Sequence, residues 1–97
     1  MSTYVMLTTL APEALKSPGD LKGLERKAVD KIRKELPQVK WTSSYAILGG
    51  CDYLDIFEAP NEEQAAKVAM LVRSFGHART ELWTALNWER FEQLIPA

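Results

Sequence analysis

Apolar residues in this chain recur with two alternating periods, and each change of period marks an element. The stretch "TYVMLTTL" (3–10) is rich in β-branched and aromatic residues and ends before Pro12, which predicts a strand. Leu21, Leu24, Ala28, Ile32 and Leu36 then follow at helical spacing. Ser17-Pro18-Gly19-Asp20 supplies the start signals: a capping hydroxyl, a proline suited to the first helical position, and an acid near the positive helix end. Pro37 stops the run, so a helix is expected over 18–36.

The period of two returns in "VKWTSSYAIL" (39–48) and "CDYLDIFEA" (51–59), two strands separated by glycines and hence a hairpin. Gly49 and Gly50 suit a turn that needs positive φ. Asn61 caps a second helix over 61–75, with Ala65, Val68, Ala69, Val72 and Phe75 as its apolar stripe. "HARTELWTAL" (77–86) reads as a fourth strand and "NWERFEQLI" (87–95) as a short closing helix. The order β-α-β-β-α-β is the ferredoxin-like plan, an α+β fold with a four-stranded antiparallel sheet and two helices on one face. Ninety-seven residues fit one such domain over 1–97.

Side chains of a strand alternate between faces. In 51–59, Leu54 and Ile56 point one way and Tyr53, Asp55 and Phe57 the other, and the aliphatic pair suits the helix-packed side. That choice sends Tyr4, Met6, Trp41, Tyr45, Tyr53, Phe57 and Trp83 to the open face. No strand has a purely polar face, although a sheet solvated on one side would show one. The open face is therefore expected to be covered by a second copy, most simply in a two-fold dimer.

Composition narrows the class of function. The net charge of −1 offers no global field for nucleic acid or anionic lipid. Charge is uneven, with eight basic and four acidic residues over 16–40, but Lys22, Arg26, Lys27 and Lys31 interleave with Glu25 and Asp30 as on a solvated helix. A nucleic-acid surface is more one-sided and carries stacking aromatics, so no nucleic-acid partner is expected. No apolar run approaches membrane-spanning length. The opening "MSTYVMLTTL" lacks the basic start and cleavage site of a secretory signal, and one cysteine forms no disulfide framework; a cytoplasmic location is expected.

Candidate chemistry is sparse. Cys51 adjoins glycines and Asp52, with no cation in sequence to favour a thiolate, so it reads as a small side chain at the hairpin end. His77 is the only histidine, and no His/Cys/Asp spacing resembles a metal site; no metal and no cofactor are expected. Asp55 is an acid on a largely aromatic face, where an unpaired charge is costly. Arg79 is its natural partner, in a structural ion pair or at the wall of a ligand cavity. The expected ligand site therefore comprises Asp55, Arg79 and Glu81 with Tyr45, Tyr53 and His77, between helices and sheet or between paired sheets. Arg79 would anchor an acidic ligand through its planar fork.

At "LGGCDYLDIFEAP" and "SFGHARTELWTAL" the chain resembles the GYD-domain family of small bacterial proteins. Gly49 and Asp52 match that family's Gly-x-Tyr-Asp hairpin, Glu58-Ala59-Pro60 its strand end, and Gly76, Arg79 and Thr80 its Gly-x-x-Arg-Thr strand. Cys51 stands where the family has its tyrosine, which puts any role of that phenol in doubt here. The resemblance implies a ferredoxin-like domain pairing sheet to sheet as a dimeric α+β barrel. A similar hairpin occurs in the effector-binding domain of feast/famine-type regulators, whose DNA-binding half is not expected because no helix-turn-helix precedes residue 3. The resulting expectation is a homo-oligomeric module that binds a small polar or acidic molecule. The alternatives are a cofactor-free isomerase or monooxygenase-like enzyme of the same barrel plan, or a purely structural oligomer.

Overall fold

A computed structural model of the chain describes residues 1–14, 17–76 and 78–96. The elements run β1 (Ser2–Thr9), a 3-10 turn (Pro12–Ala14), α1 (Pro18–Glu35), β2 (Lys40–Ala46), β3 (Tyr53–Ala59), α2 (Glu62–Gly76), β4 (Arg79–Ala85) and α3 (Trp88–Leu94). The strands form one sheet in the order β2-β3-β1-β4, with each neighbouring pair antiparallel. This is the ferredoxin-like arrangement that the alternating periods predict.

Local chemistry sets the helix ends. The Asp20 carboxylate accepts from the Ser17 backbone N–H at 3.1 Å, closing the first turn of α1. Leu36 donates its N–H to the Ile32 carbonyl at 2.8 Å, and Pro37 prevents further growth. The Asn61 side chain accepts from the Gln64 N–H at 2.9 Å and caps α2. At the other end of the chain, Asn87 does the same for Glu89 at the start of α3, a helix with no buried residue.

The core lies between the two long helices and one face of the sheet. Ile32 and Leu36 of α1 and Ala65 and Val68 of α2 pack on Tyr4, Met6, Phe57 and Ala59. Trp41, Phe57 and Tyr4 are register partners across three strands and stack in a row, with centroids 5.4 Å and 5.7 Å apart. Such stacked pairs contribute about 0.5–1.5 kcal/mol each beyond their area.

This packing reverses the expected faces of the sheet. Tyr53, Asp55 and Phe57 turn towards the helices together with Tyr4 and Met6, whereas Leu54 and Ile56 lie on the open side. Volume explains the outcome: the space between sheet and helices takes the wide aromatics, and Phe57 is fully buried there. A bulge in β2 adds to the change. Trp41 pairs with Phe57 but Ser43 with Ile56, so Thr42 is an extra residue. Trp41, Ser44 and Ala46 thereby share the helix-facing side, and Tyr45 pairs with Leu54. Of the aromatics expected on the open face, Trp83, opposite Val5, and Tyr45, opposite Leu54, are placed there.

Candidate functional site: a cavity between helices and sheet

The two ends of the helix–sheet layer differ in tightness. Ile32 and Leu36 are buried, but Leu24, Ala28 and Val29, one to two turns earlier on α1, are only half-buried. On α2 the order is inverted in sequence, with Ala65 and Val68 buried and Val72 and Phe75 half-buried. Those half-buried residues roof a cavity of about 230 Å³ whose floor is the sheet. Thr8, Trp41, Ser44, Tyr53 and Asp55 form the floor, while Tyr45 and Glu25 stand exposed at its rim.

The hairpin that follows β2 fixes the polar end of this floor. The Ile47 N–H donates to the Asp52 carbonyl at 3.0 Å, and the Asp52 N–H donates to the Thr8 carbonyl at 2.8 Å. The Asp52 carboxylate accepts from the Leu10 N–H at 2.7 Å. One residue thus ties the hairpin to the end of β1, and Tyr53 begins β3 directly opposite Thr8. Cys51 is half-buried, with Sγ 3.6 Å from the Tyr53 carbonyl. Gly49 and Gly50 do not take left-handed backbone, and a Cβ on either would meet nothing within 4 Å. The six-residue span from Ile47 to Asp52 turns without them, contrary to the expected need for positive φ.

Two hydroxyls in the floor stand alone. Thr8 is 1% exposed, and among the described residues neither its Oγ1 nor the buried Tyr53 hydroxyl has a hydrogen-bond partner. Burial pushes the Tyr53 phenol up to about 12, with the negative charges of Glu25, Asp52 and Asp55 acting the same way. Burial also raises the Asp55 carboxyl to about 6; a hydrogen bond with Ser44 opposes the shift, and Glu25 adds to it. Trp41 Nε1 donates to Ser44 Oγ at 2.8 Å, which leaves the Ser44 hydrogen for Asp55.

The site differs from the expected one in membership. Asp55, Tyr53 and Tyr45 meet at the cavity. Arg79 and Glu81 do not: they pair with Thr9 and Leu7 on the open face, two strands away from Asp55 and on the other side of the sheet. There they line a second pocket, of about 400 Å³, with Cys51 and Gly50. The Asp55–Arg79 pair is therefore not made, because the reversal of faces separates the two. His77 lies outside the described residues. Thr8, Ser44 and Glu25 were missed; Thr8 follows Tyr4 and Met6 on one strand face, and a hydroxyl in that series was the available signal. Among the described residues no group of three or more His, Cys, Asp or Glu stands close enough to hold a metal ion. No helix among them is long and apolar enough to cross a membrane.

A four-stranded antiparallel sheet with two helices on one face and a cavity beneath them defines a small ferredoxin-like module. The family model of the GYD domain matches residues 4–95, and the chain belongs to that family. No curated protein matches it. Among solved structures, the leucine response regulatory protein of Mycobacterium tuberculosis is similar at 17% identity, with a TM-score of 0.60 over 89% of this chain and 51% of that one. A second, a glutamate-to-alanine point mutant, is similar at 18% identity and a TM-score of 0.58, covering 89% of this chain and 50% of that one. The chain thus spans about half the length of these solved chains, and at such identity the likeness concerns the fold.

Proposed function

We propose that this protein is a self-associating module that holds a small molecule, apolar in body and polar at one end, in the cavity between α1, α2 and the sheet. The observation that carries the reading is the pair of unpartnered hydroxyls, Thr8 Oγ1 and Tyr53 Oη, in the wall of a largely apolar cavity. A buried hydroxyl without a partner costs about 1–3 kcal/mol, a cost that a bound polar group removes. The described lining holds no Lys, Arg or His, so an acidic ligand anchored by Arg79 is no longer the reading. The leucine response regulator of similar fold is named for a small-molecule response, in keeping with a sensing or carrier role here.

Thermal-shift screening of a fragment library tests the idea, repeated on Val29→Trp, which fills the cavity from α1. Hits that raise the melting temperature of the wild-type chain and are lost in Val29→Trp are expected. A library without a single hit would sink the proposal. The alternative, a cofactor-free acid–base enzyme, draws on the raised Asp55 carboxyl beside the Tyr53 phenol. Mass analysis of the hits after incubation separates the two, since a binding module returns them unchanged.

Self-association rests on the open sheet face. Val5, Leu7, Leu54 and Ile56 form an aliphatic patch there beside Trp83, which is 54% exposed. Nearby in sequence, α3 leaves Trp88, Phe91 and Leu94 exposed. An uncovered apolar surface of this kind marks an interface, and a second copy pairing sheet to sheet gives the simplest closed solution.

A further inference from the structure

We propose that the cavity selects a small organic cation, an aromatic or aliphatic body carrying a protonated amine, with Asp55 as its counter-charge. This inference rests on the binding reading above and narrows it to one class of ligand. The charge of the lining is one-sided: Asp55 in the floor and Glu25 at the rim are both acids, and no described lining residue is basic. An anion would meet two like charges and no donor of opposite sign, whereas a cation meets the reverse.

Hydrogen-bonding capacity points the same way. An ammonium carries three N–H donors and no acceptor. The floor carries the Asp55 carboxylate as an acceptor, and Thr8 Oγ1 and Tyr53 Oη, buried in the same wall, have no partner among the described residues. Thr8 and Tyr53 are direct cross-strand partners, and Asp55 lies two residues along β3 on the same face. The Trp41–Ser44–Asp55 chain uses one carboxylate lone pair and leaves the others for a ligand. Trp41, Tyr53 and Phe75 line the same space, and aromatic rings close to a cation add to its attraction.

The test uses three probes of one shape and different charge: 2-phenylethylammonium, 2-phenylethanol and phenylacetate. Calorimetric titration of the full chain near neutral pH is expected to give the ammonium at least about tenfold the affinity of the alcohol, with phenylacetate weakest. In Asp55→Asn that advantage should vanish while affinity for the alcohol changes by less than about twofold. Glu25→Gln, at the rim and exposed, should reduce it only in part. Equal binding of ammonium and alcohol, or tighter binding of phenylacetate, overturns the cation class while leaving a ligand cavity in place. If none of the three binds, the cation class also falls, and the fragment screen separately decides whether the cavity binds anything.

Discussion

Thr8 and Tyr53 stand directly opposite each other on antiparallel strands β1 and β3, and among the described residues neither hydroxyl has a partner. A fold selected for stability alone would place valine and phenylalanine there. Thr8→Val is accordingly expected to raise stability by about 1 kcal/mol, because it removes an unsatisfied buried oxygen without changing shape. Tyr53→Phe should act in the same direction. Chemical denaturation of the ligand-free protein is the measurement. A loss of about 1 kcal/mol or more in Thr8→Val would mean that the hydroxyl is satisfied in solution.

Asp55 gives a prediction in pH. Its carboxyl is raised from 3.8 to about 6, so between those values the folded chain holds the proton more tightly than the unfolded chain does. Stability from this group is therefore present at low pH and declines as pH rises through about 4 to 6. The groups facing it are Ser44 on β2, Tyr53 on β3, Thr8 on β1 and Glu25 on α1, with apolar Val72 and Phe75 above. Asp55→Asn, which carries no charge to desolvate, should stabilise the protein near neutral pH by about 1–2 kcal/mol, after discounting for partial exposure. Its advantage should shrink below about pH 4. Melting curves across that range provide the check; an equal gain at all pH values would contradict the assignment.

The motif residue Asp52 does structural work. Its carboxylate receives the Leu10 N–H at 2.7 Å, and Asp52→Ala leaves that donor unmatched. The expected loss is about 1–3 kcal/mol, the range for a hydrogen bond to a charged acceptor. Hydrogen exchange should show the Leu10 amide among those most exposed by the substitution. A change below about 0.5 kcal/mol, the size of an ordinary surface effect, would contradict the role.

Ile56→Lys places a charge in the middle of the open sheet face without touching the helix-packed core. Multi-angle light scattering at micromolar concentration is expected to show an oligomer for the natural chain and a monomer for the variant, with unchanged circular dichroism. A monomeric natural chain would end the self-association proposal.

The element order was legible because helix and strand periods differ sharply and Pro12, Pro37 and Pro60 punctuate the chain. The expected helices at 18–36 and 61–75 fall within one residue of α1 and α2 at each end. Facing was not legible. Choosing which side of a strand is buried needs contrast between its two sides, and β3 alternates Leu54 and Ile56 with Tyr53 and Phe57, apolar either way. The aliphatic pair then tipped the reading to the wrong side, because it suits a helix-packed face no better than the aromatics do. The extra residue Thr42 further shifted the phase of β2, which a strict period of two does not register. The cavity was hidden for a different reason: Leu24, Ala28, Val72 and Phe75 read as core on their own helices. The space beneath them depends on how the helices pack on the sheet, which the pattern along one element does not carry.

The bulge at Thr42 also bears on how the sheet ends. β2 is an outer strand, and a strand interrupted after Trp41 presents its free amides and carbonyls out of step. A chain arriving sideways finds no continuous ladder to extend. On the opposite border, β4 carries Arg79 and Glu81, charges that a stacking neighbour would have to accommodate. Both borders thus resist fibre-like growth, and the sheet stops at four strands.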